Sequence, residues 1–105
     1  MTWYERVIAA HVAVTDSVSH ARRLASDRYF VWQEDGSNDL PADNGHGERV
    51  MTGVSDLYTK TPFDPWGDAL GESLSSYGLS WDLVGIDYED ETRFFHWTWN
   101  WEVPV

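Results

Sequence analysis

The clearest pattern in this chain lies near its C-terminus. Phe95, Trp97, Trp99, Trp101 and Val103 occupy every second position, with His96, Thr98, Asn100 and Glu102 between them. A period of two places one set of side chains on one face of a β-strand, whereas a helix would scatter the rings around its circumference. Arg93–Val103 therefore predicts a long strand with one apolar and one polar face. Upstream, Thr2 reads as an N-cap before a helix over residues 2–14, with Trp3, Val7, Ile8 and Val12 as its apolar stripe. Asp16 and Ser17 read as a turn. Val18–Ala21 reads as a short edge strand, with a helix continuing to Leu24 as the competing reading, and Arg22–Arg28 as a loop. Tyr29–Glu34 is a near-continuous apolar run, which predicts a central strand covered on both faces. Asp35–Glu48 is dense in Gly, Pro, Asn and Asp and reads as a long loop, expected to be mobile in the free protein. Val50–Lys60 alternates as a strand and stops before Pro62.

Asp64 followed by Pro65 is a helix start, Asp capping and Pro at the first helical position. Trp66, Leu70, Leu74 and Tyr77 follow on one helical face, and Gly78 stands where a C-terminal glycine belongs, so Pro65–Tyr77 is predicted helical. Gly67 and Gly71 weaken that helix, which packing must then hold. Trp81–Tyr88 is a further strand, joined to the last by the acidic turn Glu89-Asp90-Glu91. Helices interspersed among strands in this order predict one α+β domain over residues 1–105. Its expected form is two layers, with helices packed on one face of a mostly antiparallel four- to five-stranded sheet.

Composition narrows the picture further. The 105 residues carry 7 Lys and Arg against 18 Asp and Glu, a formal charge of −11, which argues against a protein gripping phosphate backbones. The charge suits a solvated surface, a basic protein partner, or a surface past which nucleic acid slides. Hydrophobic residues at 42 % and aromatics at 15 % are a globular composition. There is no cysteine, so disulfides and thiolate metal sites are excluded. No apolar run reaches the roughly 20 residues that span a bilayer, and Met1–Arg6 does not begin a signal peptide.

Candidate chemistry is sparse. His11, His20, His46 and His96 have no His, Asp or Glu partner at a ligand or catalytic spacing. The acidic loop lacks the calcium-loop spacing, and no phosphate-binding, dinucleotide or nucleophile-elbow motif occurs. Asp35/Asp39 and Asp87/Asp90 read as surface carboxylates rather than acid–base couples. No enzyme, metal or cofactor is expected, and the Trp stripe is expected to be core or subunit interface.

From Tyr29 onward the chain reads Y-F-V-W-Q-E-D-G-S-N-D-L-P-A-D-N, then V-S-D-L-Y-T-K, D-P-W with a short helix, G-L-S-W, and Y-E-D-E-T-R-F-F-H-W-T-W-N-W-E-V. Ala42-Asp43-Asn44 together with Leu57-Tyr58-Thr59-Lys60 and the alternating aromatic end resemble the tail terminator, or tail completion, family of the head–tail module of phages and prophages of Gram-positive bacteria. The resemblance covers about three quarters of the chain; Ala10–Arg28 is more polar than the family pattern and the last strand richer in Trp. It implies a non-enzymatic virion protein, assembled in the host cytoplasm as a homo-oligomeric ring, six-fold on the tail tube. Its partners would be the major tail tube protein and the head-completion protein, with neither specific nucleic-acid recognition nor a membrane. The assembly-interface candidates are Asp35, Asn38, Asp39, Asp43, Asn44, His46, Glu89, Asp90 and Glu91. The competing readings are a head-completion (stopper or adaptor) protein and an acidic DNA-mimicking inhibitor.

Overall fold

In the computed structural model, which describes residues 1–40 and 48–105, the elements run α1 (Trp3–Val12), β1 (Val18–His20), β2 (Arg28–Leu40), β3 (Glu48–Thr59), α2 (Pro65–Ser76), β4 (Ser80–Glu89) and β5 (Phe94–Pro104). The strands form one sheet in the order β1-β2-β3-β5-β4, antiparallel except where β1 meets β2. Both helices lie on one face, so the expected two-layer α+β architecture holds. Val18 does start a strand rather than extend a helix. β1 stops at His20, opposite Trp32. That shortness lets the chain turn back through residues 21–27 and enter β2 alongside, without the longer crossover that parallel strands usually need. Ala21 makes the reversal, with φ at 65°.

Trp97, Trp99, Trp101 and Val103 on β5 are buried on the helix side with Phe30 and Trp32 from β2, Leu57 from β3 and Leu70 and Leu74 from α2. The alternation of β5 is therefore the core of the protein. The glycines of α2 are explained by the same rings. A Cβ on Gly67 would lie 2.1 Å from the six-membered ring of Trp97, and one on Gly71 would lie 2.8 Å from that of Trp81. Gly53 on β3 does the same for Trp101, at 2.3 Å. These positions give up local propensity so that a large ring can lie flat against the backbone.

Helix starts follow their caps. Thr2 accepts from Glu5 N–H at 3.1 Å while Glu5 Oε1 accepts from Thr2 N–H at 3.0 Å, a reciprocal box. Asp64 accepts from Trp66 N–H at 2.9 Å, from Thr59 O–H at 2.6 Å, and from Arg28 Nε and Nη2 at 2.8 and 2.5 Å. Arg28 also lies 3.6 Å over the Trp66 ring. This one carboxylate ties the start of β2, the end of β3 and the start of α2. Burial pushes its pKa up, but the donors from Arg28, Thr59 and Trp66 outweigh burial and hold it below the usual value. Asp64→Asn keeps a capping oxygen and loses the charged bidentate pair. We expect it to cost on the order of 1–3 kcal/mol, read as a lower chemical-unfolding midpoint at neutral pH.

Two expectations are corrected. Asp35–Glu48 is not all loop: β2 continues through Asp35 to Leu40, paired with β3 from Glu48. Turn-forming composition yields here because Gly36 to Leu40 each have a β3 partner for their backbone, and Asp35 is the extra residue at a register shift between Glu34 and Gly36. The remainder of that stretch, with its expected mobility, lies outside the described residues. On α1 the buried residues are Val7, Ala10 and His11, with Trp3 and Val14 packed beside them, whereas Ile8 and Val12 are exposed. The buried face lies about one residue round the helix from the stripe Trp3, Val7, Ile8 and Val12, because His11 is fully buried and takes a place in the core.

Candidate assembly surfaces

β2 and β3 run to one end of the sheet, while β4 and β5 are joined at the other. At the first end Asp35 and Asn38 are exposed on β2, and Asp35 accepts from Thr52 O–H at 2.6 Å. Asp39 faces Arg49 in the strand pairing. Asp43, Asn44 and His46 lie outside the described residues. At the second end Glu89 closes β4, with Oε1 buried and without a hydrogen-bond partner among the described residues. Asp90 and Glu91 are exposed in the turn, closed by Arg93 N–H to Glu89 C=O at 2.7 Å with Arg93 at φ 62°. The molecule is 53 Å along its long axis. Among the described residues, the interface candidates therefore occupy opposite ends of the sheet and do not form a common site.

The sheet face away from the helices carries its own cluster: Tyr29, Val31 and Tyr58, with Phe94 against them. Arg23 covers it, its guanidinium 4.0 Å above the Tyr58 ring and its Nε–H donating to the Tyr29 hydroxyl at 3.3 Å. Burial raises the Tyr58 pKa, and the Tyr29 bond raises that of Arg23. This is why Tyr29–Glu34 reads as covered on both sides. Lys60 lies 4.3 Å over Phe94 and donates to the Thr92 carbonyl.

Two histidines gain acidic partners only in three dimensions. His96 Nε2 lies 2.7 Å from Asp56 Oδ1, 40 residues away in sequence, and His20 Nε2 lies 2.7 Å from Glu34 Oε1, 14 away. The bond to His20 holds the Glu34 carboxyl below its usual pKa. No sequence spacing announces such pairs, because strand register makes them. Among the described residues no group of three or more His, Cys, Asp or Glu is placed to hold a metal ion.

His11 is wholly internal. Its Nδ1 is 2.7 Å from the Val7 carbonyl, which only accepts, so Nδ1 carries the proton. Its Nε2, 2.7 Å from Ser55 Oγ, then accepts the serine proton, and Ser55 Oγ accepts in turn from Trp101 Nε1–H at 2.9 Å. This relay joins α1 to β3 and β5 and satisfies every polar atom in it with a neutral ring. Burial lowers the His11 pKa to about 4.

Among the described residues, two apolar surfaces stay uncovered. On α1, Tyr4, Ile8 and Val12 recur every fourth residue and are between 41 % and 50 % exposed. On β4, Trp81, Leu83, Ile86 and Tyr88 stand opposite Trp101, Trp99, Trp97 and Phe95, and so share the helix-side face. They lie beyond the cover of α2 and are between 37 % and 51 % exposed. A register shift between Leu83 and Gly85 keeps them in phase. Between α2 and β4 runs a groove of about 350 Å³ lined by Gly67, Gly71, Trp81, Leu83, Trp97 and Trp99, with Asp68 and Glu72 at its rim. The sequence shows β4 as a strand, but not that it is an edge strand, because strand order is a tertiary property.

No protein-family model matches this sequence, and no curated protein does. Among solved structures, a chain of the virion of a native gene transfer agent (GTA) particle matches over 97 % of this protein and 90 % of that chain, with a TM-score of 0.58 at 16 % identity. At that identity the likeness is one of fold. No helix of the described residues is long and apolar enough to cross a membrane.

Proposed function

We propose that this protein is a structural component of a phage-like virion, a non-enzymatic subunit of the head–tail joint that caps the tail tube, ends its polymerisation and joins tail to head. The observation that carries the reading is the fold shared, nearly end to end, with a chain of a gene transfer agent virion particle. The motifs from Tyr29 onward supply the finer assignment to the tube end, since they resemble tail terminators. In that role the protein works as a homo-oligomeric ring between the major tail tube protein and the head-completion protein. The polar and acidic residues at its two ends, Asp35, Asn38 and Asp39 on one side and Glu89, Asp90 and Glu91 on the other, would meet different neighbours. A fold that separates its contact groups along the 53 Å axis suits a protein held between two partners.

The test is loss of the chain during particle assembly. Cells producing particles without it are expected to accumulate overlong tubes and unjoined heads, and electron microscopy of normal tails should show its density at the tube end. Tubes of normal length joined to heads in its absence would refute the role.

A further inference from the structure

We propose that the two uncovered apolar surfaces are the two halves of one contact, the α1 stripe Tyr4–Ile8–Val12 of one copy covering the β4 strip Trp81–Leu83–Ile86–Tyr88 of the next. The inference names the partner of the assembly surface and rests on the proposed ring.

The surfaces stand on opposite flanks of the molecule. α1 lies on the sheet, approaching β5, with His11 bonded to Ser55 on β3 and packed edge-on against Phe30 on β2 at 5.7 Å. Its other flank faces α2: Ser73 O–H donates to the Ala10 carbonyl at 2.6 Å, and Arg6 reaches Gly78 beyond the end of α2. At 100° per residue, Tyr4, Ile8 and Val12 then face away from α2, toward the β1 side of the sheet. β4 is the last strand at the other side. A contact between unlike surfaces on opposite flanks is heterologous, and repeats around a closing ring.

What is missing at β4 also matches what α1 offers. Two helices cover the sheet only as far as β5 and the inner side of β4, where Gly67 receives Trp97 and Gly71 receives Trp81. The outer part of β4 lacks a helix, and a neighbouring copy presents one with its apolar side unburied. Taking about 200 Å² for a fully exposed large side chain, the α1 stripe offers on the order of 280 Å² and the β4 strip on the order of 360 Å² of apolar area. Together they supply about 70 % of the non-polar area, itself roughly 57 % of the total, of a standard interface of about 1,600 Å². Charge points the same way. Copies bearing −11 each repel, so they meet best where charge is sparse. α1 carries only Glu5 and Arg6 as permanent charges, and Asp82 and Asp87 on β4 stand opposite Asn100 and His96, on the other face of the sheet. The charges that border the β4 strip are therefore Asp68 and Glu72 beside Trp81 and Leu83, and Lys60 and Arg93 beside Tyr88.

The chain has no cysteine, so single cysteines report contacts cleanly. Ile8→Cys chain and Ile86→Cys chain are mixed at the highest soluble concentration and treated with a short thiol cross-linker. The mixed dimer is expected to exceed, at least several-fold, the product of Asn100→Cys with Ile86→Cys, Asn100 being exposed on the other sheet face. Equal yields would overturn the inference. As a second arm, Ile86→Lys should abolish self-association in sedimentation while leaving the thermal midpoint near that of the parent; association unchanged by Ile86→Lys also overturns it. Both readouts use the isolated chain. Cross-linking with tubes of normal length in particles lacking the protein would sink the head–tail role alone, and density at the tube end without cross-linking would sink this contact alone.

Discussion

Trp99→Ala is expected to leave the protein largely unfolded or insoluble. Trp99 is 1 % exposed at the centre of β5, stacked on Trp97 at 5.7 Å and edge-on to Phe30 at 6.3 Å. It faces Ser55 on β3 and Leu83 on β4 in the strand register. Removing it deletes a large buried ring and leaves a cavity that rigid strands on both sides cannot close, at a cost of roughly 3–5 kcal/mol. That is a large share of the ~5–15 kcal/mol by which a domain of this size is stable. Its neighbours in sequence behave differently. Asn100 is exposed, so Asn100→Ala should change stability by less than about 0.5 kcal/mol. Thr98 donates to Asp56 Oδ1 at 3.2 Å, so Thr98→Ala should cost no more than about 1 kcal/mol. Urea unfolding of the three variants checks the contrast. A Trp99→Ala protein of near-parental stability would refute the assignment of this ring as a main support of the core.

Mild acid is expected to weaken the fold before carboxylates begin to titrate, through His11. The ring takes its proton with a pKa of about 4 when folded, against 6.5 for an exposed histidine. Between those values the unfolded chain binds the extra proton and the folded chain does not. Stability therefore rises with pH in that window: it is full above about pH 6.5 and falls as pH drops toward 4. A shift of this size corresponds to about 3 kcal/mol over the whole window and about 2 kcal/mol by pH 5. Hydrogen bonding adds to the cost of burial: a protonated Nε2 would donate to Ser55 Oγ, which also accepts from Trp101, and the serine hydroxyl would lose its acceptor. Glu34 and Asp64, whose carboxyls sit below their usual values, add to the loss only at lower pH. Unfolding midpoints at about pH 7.5 and pH 5 should therefore differ in the parent. In His11→Gln the difference should shrink, although that variant is less stable at every pH. A parent whose midpoint is flat over this interval would rule out a neutral, buried His11.

Much of the fold is legible in the chain because local chemistry and global packing agree there. The alternation from Phe95 to Val103 needs no partner to be read as a strand, and the Asp64-Pro65 start of α2 and the Thr2–Glu5 box of α1 are written in neighbouring residues. Where the two levels disagree, the sequence misleads. Asp35–Leu40 has the composition of a loop and the backbone of a strand, because β3 supplies hydrogen-bond partners that composition does not report. His11 reads as polar and lies in the core, because Ser55 and Val7 satisfy it from different segments. The acidic candidates are visible as residues, but their separation onto opposite ends is not, since it follows from strand order.

By itself the sequence determined both helices and the central parts of the long strands, that one face of the last strand is apolar, and, through the lack of cysteine, that thiol chemistry is excluded. Those are properties of periodicity, capping and residue type, all short-range. Only the tertiary structure decided that β4 is an edge and that α2 stops short of covering it. It alone turned the flank of α1 outward, and set Asp56 beside His96 and Glu34 beside His20. The reason is physical: exposure belongs to a residue's neighbours in space, and strand order and helix placement choose those neighbours from segments far apart along the chain.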